Sequence, residues 1–85
     1  MNISKSEFIK ILQANADKFE KEDLAGTDVL SELGVDSLGF VMTIYAIEEK
    51  LNIKIEDKDL ASLTATSTVA DFVRVLAALD VNIEV

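Results

Sequence analysis

Three stretches of apolar residues at helical spacing limit what this chain can fold into. Phe8, Ile11, Leu12, Ala16 and Phe19 make the first stripe; Phe40, Ile44, Ile47 and Leu51 the second; Val69, Phe72, Val73, Leu76 and Leu79 the third. Each stripe follows a helix-start signal. Ser4-Lys5-Ser6-Glu7 is a capping box, in which the serine and the glutamate three residues on satisfy each other's free backbone N–H. Asp36-Ser37 opens the second helix, which runs to about Leu51-Asn52, and Ser67 or Thr68 caps the third. Asp57–Leu63 suits a further helix of one or two turns. The expectation is an all-α fold: a small bundle of four helices, three long and one short, burying its stripes by antiparallel packing.

The connections are legible too. Residues 20–36 form a long first loop: Lys21-Glu22-Asp23 is polar, Ala25-Gly26-Thr27-Asp28 is turn chemistry, and Gly34 ends any helix that Val29-Leu30 and Leu33 begin. A connection this long is uncommon in a small domain and often functional, although Val29, Leu30 and Leu33 would pin it to the core. The hydroxyl-rich run Thr64-Ala65-Thr66-Ser67-Thr68 reads as a loop, because such side chains compete for backbone hydrogen bonds. Val81–Val85 alternates like a strand, but no second strand is evident to pair with it. It is expected to be a frayed or docked extension. With no proline, repeat or low-complexity segment among the 85 residues, one domain over 1–85 is expected.

Composition removes most kinds of chemistry. The chain has no cysteine and no histidine, so disulfides, thiolate catalysis and the usual zinc ligands and general base are excluded. The formal charge is −8, with 16 acids against 8 bases. That balance disfavours nucleic acid and anionic membrane surfaces, both of which call for clustered Lys and Arg. Residues 28–59 hold eight of the acids against three lysines, so a basic partner would be steered to the middle of the chain. No apolar run approaches the roughly 18 residues of a membrane span, and Met1-Asn2-Ile3-Ser4-Lys5 does not look like a signal peptide. A soluble, cytoplasmic, monomeric domain without catalytic activity follows as the expectation. Glu48 and Glu49 do not make an acid–base pair, since adjacent helical residues point about 100° apart. Asp57-Lys58-Asp59 lacks the glycine and distal glutamate of a calcium loop, and no metal is expected.

The informative segment is Leu33-Gly34-Val35-Asp36-Ser37-Leu38: a glycine turn, an acid, then a hydroxyl at the start of a helix. Asp and Ser are both good helix caps, so capping alone could explain the pair. A serine placed there also presents its oxygen at a positive helix end, where a phosphate group is favoured. Without a histidine to activate it, Ser37 is no hydrolase nucleophile. It can still be modified by another enzyme.

At these residues the sequence resembles the acyl carrier protein family. The resemblance spans nearly the whole chain and is most specific in Asp28–Leu38, continuing through Ile47-Glu48-Glu49-Lys50-Leu51 and Ile53-Lys54-Ile55. It implies that Ser37, flanked by Asp36 and Leu38, carries a covalent 4′-phosphopantetheine arm. A phosphopantetheinyl transferase would install the arm from coenzyme A, and acyl-loading, acyl-transfer or condensing enzymes would work on its thioester. The thiol would belong to the cofactor, which reconciles thioester chemistry with a chain lacking cysteine. Peptidyl carriers usually show Gly-Gly-His-Ser or Gly-Gly-Asp-Ser here, so Val35-Asp36 fits the acyl branch better.

The departures from the family pattern are informative. Carriers of housekeeping fatty acid synthesis are acidic along the exposed face of the second helix, whereas Gly39 and Met42 stand at two of those positions here. With Phe40, Ile44, Ile47 and Leu51 inward, Val41, Met42 and Tyr45 fall outward beside Glu48 and Glu49 as a partner-binding face. Alternatively, Val41, Met42 and Tyr45 pack on the 20–36 loop or on Lys58–Leu63. Gly39 would permit close approach of a partner or of the arm, or leave the first turn mobile. The apolar face suggests a dedicated pathway, for a specialised polyketide-like metabolite or a lipid. A housekeeping carrier, an aminoacyl or peptidyl carrier and an unmodified interaction module are the alternatives. The resemblance places an acyl pocket between the second helix and Lys58–Leu63, with Ile44, Ile47, Ile55, Leu63, Val69 and Phe72 as its candidates.

Overall fold

The computed structural model describes residues 1–16, 19, 23–64 and 66–85. Among the described residues three α-helices carry the fold: α1 (Lys5–Asn15), α2 (Ser37–Leu51) and α3 (Val69–Ala77). Short 3-10 turns at Leu30–Leu33 and Asp57–Leu60 punctuate the connections. The expected small helical bundle is the observed architecture, with the fourth, short helix present as the 57–60 turn.

Local chemistry sets most of the helix boundaries. Ser4 caps α1 through a complete box with Glu7, and Thr68 caps α3 through a second one with Asp71. Asp36 caps α2, and Asn52 ends it in the left-handed conformation. α1 stops four residues short of the expected Phe19. The backbone turns extended at Ala16, where the last turn of α1 meets the first turn of α2. Ala16 and Phe19 nevertheless pack against the core. The charged residues Asp17, Lys18, Glu20, Lys21 and Glu22 lie outside the described residues, as does Ala65 of the hydroxyl-rich loop.

The three stripes meet around Phe72. Its ring stacks on Phe8 of α1, with centroids 5.5 Å apart, and meets Phe40 of α2 edge-on at 5.9 Å. Leu12, Ile47, Val69 and Leu76 complete the centre, all fully buried. The described part of the long loop, residues 23–36, is stapled to the bundle. Leu30 and Leu33 are buried, Gly34 ends their 3-10 turn at φ 89°, and Val29 bridges Thr68 across the hydroxyl-rich loop. Backbone bonds from Leu30 N to Ser67 O and from Val69 N to Asp28 O close that junction.

Of the frayed and docked alternatives the tail adopts the docked one, and the partner strand that was not evident in the sequence lies at Asn2–Ile3. Asn82–Ile83 forms a strand, β2, that pairs in parallel with Asn2–Ile3, β1. The Met1 ammonium also donates to the Asp80 carbonyl at 2.8 Å. Ile3, Val81 and Ile83 are buried, so burial of alternate side chains holds this two-residue ladder in place. Among the described residues no helix is long and apolar enough to cross a membrane.

Glu7 has a second task. Beyond its capping bonds to Ser4, it pairs with Lys50 in the last turn of α2, joining the start of α1 to the end of α2. The Lys50 ammonium first, and the Ser4 cap second, lower the Glu7 carboxyl from its ordinary 4.5 to about 2. A depressed carboxyl stabilises the fold above its unfolded value and loses that contribution as pH falls toward its folded one. In acid titrations followed by circular dichroism, Lys50→Met should therefore unfold at higher pH than the parent between about 4.5 and 2. The gap should shrink in high salt, because the pair is half-exposed. Coincident acid limbs would remove Lys50 from this role.

Candidate functional site

The site is built on the first three turns of α2. Asp36 does the capping: its Oδ1 accepts the Gly39 N–H at 2.7 Å, and its carbonyl accepts the Phe40 N–H at 2.8 Å. Ser37 is the first residue inside the helix and is exposed. The cap is thus supplied by the neighbouring acid, and the serine side chain is left facing solvent. The first-turn N–H groups of a helix point past that end without intrahelical acceptors, and the helix dipole adds positive potential there. An exposed primary alcohol in that setting suits a phosphate ester, whose oxygens would lie in the same field.

The face beside Ser37 is apolar. Leu38 is 69% exposed, Tyr45 58%, Met42 45% and Val41 42%, so the outward arrangement is the one adopted. Glu49 is exposed at the far end of the same helix, and Glu48 is half-buried.

An open groove of about 760 Å³ runs between α2 and the segment 53–60. Phe40, Val41, Ile44 and Tyr45 line one side, and Ile53, Ile55 and Leu60 line the other. Phe40 and Val41 lie three and four residues beyond Ser37, so the groove opens about one helical turn from the hydroxyl on the same side. Of the six residues expected to line a pocket here, Ile44 and Ile55 do so. Ile47, Val69 and Phe72 are instead core side chains, and Leu63 packs half-buried against that core. Ile47, Val69 and Phe72 share one helical period with the groove residue Ile44, so spacing alone does not separate core from groove.

Phe40, Ile53 and Leu60 were not anticipated in the groove. The alternation Ile53-Lys54-Ile55, with its two apolar residues in a connection, was the available signal.

Gly39 also has a different role from the expected one. It is buried, and a Cβ added there would sit 2.2 Å from the Asn15 carbonyl oxygen. The close approach it permits is that of α1, not of a partner or an arm. Thr43, one turn on, is buried as well, and its hydroxyl donates to the Gly39 carbonyl at 2.8 Å.

Comparison with known proteins agrees with this geometry. The family model described as the phosphopantetheine attachment site matches residues 7–76. Over 50 residues the chain is 38% identical to acyl carrier protein 4, chloroplastic, of Arabidopsis thaliana. That match covers 59% of this chain and 36% of the length of the relative. No solved structure matches significantly. With 4′-phosphopantetheine as its cofactor and a helical bundle as its fold, the chain belongs to the acyl carrier protein family.

Proposed function

We propose that this chain carries acyl groups on a 4′-phosphopantetheine arm attached to Ser37. The observation that supports the attachment point is the division of labour at the start of α2. Asp36 supplies the cap, so the Ser37 hydroxyl is exposed and available. In the loading reaction Ser37 Oγ gives up its proton to a base of the transferase and forms the new ester bond to the phosphorus of the arm. The bond from that phosphorus to the nucleotide half of coenzyme A breaks, and a nucleoside bisphosphate leaves. In this reading a phosphopantetheinyl transferase catalyses the step and supplies its general base. Once attached, the arm supplies a thiol that holds the acyl group as a thioester. Asp36 and Leu38 flank the attachment point, and the groove between α2 and 53–60 offers the acyl chain an apolar shelter through Ile44 and Ile55.

The partners in this reading are the transferase and the enzymes that load, extend or remove the acyl group. They would dock on Val41, Met42 and Tyr45, with Glu48 and Glu49 meeting basic residues at the far end. An exposed apolar centre next to the attachment serine supports service to a dedicated pathway, where recognition rests on shape and burial more than on charge. Met42→Glu should then slow turnover with the chain's own partner enzymes by about tenfold, as loss of an apolar anchor does. Faster turnover in that variant would overturn the dedicated-pathway reading.

Intact mass after incubation with coenzyme A and a broad-specificity transferase tests the carrier reading itself. The expected result is a gain of one phosphopantetheine, mapped to the peptide holding Ser37. No gain in a protein shown to be folded by circular dichroism would overturn it, leaving an unmodified module that docks through its apolar face.

A further inference from the structure

The outer wall of the groove is the stretch from Ile53 to Glu56, which is neither helix nor strand and has no ladder of its own. Two hydrogen bonds that tie it to α2 end on the same residue. The Ile53 N–H donates to the Glu48 carbonyl at 3.1 Å, and the Ile55 N–H donates to Glu48 Oε2 at 2.7 Å. The first belongs to the helix end, where Asn52 turns left-handed, and any residue at position 48 would make it. The second requires a side-chain acceptor long enough to reach across to the wall. As a bond to a carboxylate it is stronger than a neutral one.

Its donor is well placed to matter. Ile55 is buried and lines the groove opposite Ile44, and the Glu48 side chain lines the groove itself. Fixing the Ile55 amide therefore fixes the separation between the two apolar sides that an acyl chain would lie between. The neighbouring acids hold other things. Asp59 Oδ2 accepts from the Glu56 N–H at 3.2 Å, and the Glu56 carboxylate pairs with Lys58 at 3.3 Å. Those contacts close the 57–60 turn on itself, whereas the Glu48 carboxylate bond joins the wall to α2.

We infer that Glu48 is a positioning residue that sets the width of the groove, and with it the length of acyl chain the groove shelters. The cargo part rests on the carrier reading; the positioning part rests on the geometry alone. Glu48 thus faces two ways, toward a docking partner by its charge and toward the wall by its hydrogen bond.

Hydrogen exchange of the unloaded protein by NMR separates these parts. In Glu48→Ala the Ile55 amide should exchange about tenfold faster or more, as expected for losing a bond to a carboxylate. Alanine is a good helix former, so α2 itself should persist. Glu48→Gln keeps an acceptor oxygen and should retain most of the protection, while Glu49→Ala should leave the Ile55 amide unchanged. The second readout is the rise in Tm on acylation, followed from butyryl to dodecanoyl chains. The parent should gain with chain length up to a limit, and Glu48→Ala should move that limit to longer chains. Unchanged Ile55 exchange in Glu48→Ala would overturn the positioning role. Faster exchange with an unmoved length limit would overturn its effect on cargo. Failure of Ser37 to accept the arm would instead overturn the carrier reading and the cargo limit with it, whereas the exchange result would still judge the positioning role.

Discussion

Ser37→Ala is expected to abolish the phosphopantetheine mass gain completely while leaving the fold as stable as before. The reasoning separates the two jobs that a hydroxyl at a helix start can do. If Ser37 were the cap, its removal would cost about 1 kcal/mol, the usual loss when a capping oxygen goes. The cap here is Asp36, whose Oδ1 holds the Gly39 N–H. Ser37 is exposed one position further in, so its truncation falls among surface changes worth within about 0.5 kcal/mol. Asp36→Ala should show the contrasting stability effect, losing about 1 kcal/mol and lowering Tm by about 5 °C in a domain of this size. Intact mass and thermal melts on the two variants check both halves. Should Ser37→Ala melt as early as Asp36→Ala, Ser37 would be a structural residue. Should it still gain the arm, the attachment point would lie elsewhere.

What the sequence disclosed and what it withheld divide along a physical line. Ser4 with Glu7, Asp36 and Thr68 were readable as helix starts because a cap is made by residues within one turn of each other. Gly34 was readable for the same reason, since its backbone requirement is local. The stop of α1 at Asn15 was not. Its stripe continues through Ala16 and Phe19, which do reach the core, but from backbone that has left the helix. The pairing of Asn2–Ile3 with Asn82–Ile83 was also hidden, because two residues carry no measurable period and their partner lies at the other end of the chain.

The candidate site follows the same division. Asp36, Ser37 and Leu38 are adjacent in sequence, and the helix start places them together without help from the rest of the fold. The groove is a long-range object, made where a half-buried flank of α2 faces an irregular segment. Ile44 and Ile55 could be guessed as its lining, but so could Ile47, Val69 and Phe72, because an apolar residue at helical spacing has the same signature in a core and in a groove. The exposure of Val41, Met42 and Tyr45 was likewise open, since a broad stripe and two separate faces share one period. Only the packing of α1 and α3 decides which flank of α2 is left uncovered.

Gly39 shows how far such a contact can reverse a local expectation, and Gly39→Ala is expected to destabilise the protein. In an exposed helix this substitution would stabilise by about 1 kcal/mol, through lower chain entropy in the unfolded state and better helix propensity. Here the added Cβ would stand 2.2 Å from the Asn15 carbonyl oxygen and 3.2 Å from Asp36 Oδ1. The first obstacle is backbone at the end of α1, so relief requires the two helices to separate rather than a side chain to turn. Overpacking of this kind costs about 1–3 kcal/mol or more and should outweigh the propensity gain. A net loss of about 2 kcal/mol corresponds to a Tm lower by about 10 °C. Gly26→Ala is the comparison: its Cβ would meet the Ala70 side chain at 3.3 Å, a contact relieved by a few tenths of an ångström of give. It should cost less. A higher Tm for Gly39→Ala would mean that α1 does not press on α2 as closely as the structure has it. Gly39→Asp carries the same clash, so restoring an acid there tests packing rather than charge. Met42→Glu, on the exposed face, is the substitution that isolates charge, and the two together separate the way α2 is held from the way it is recognised.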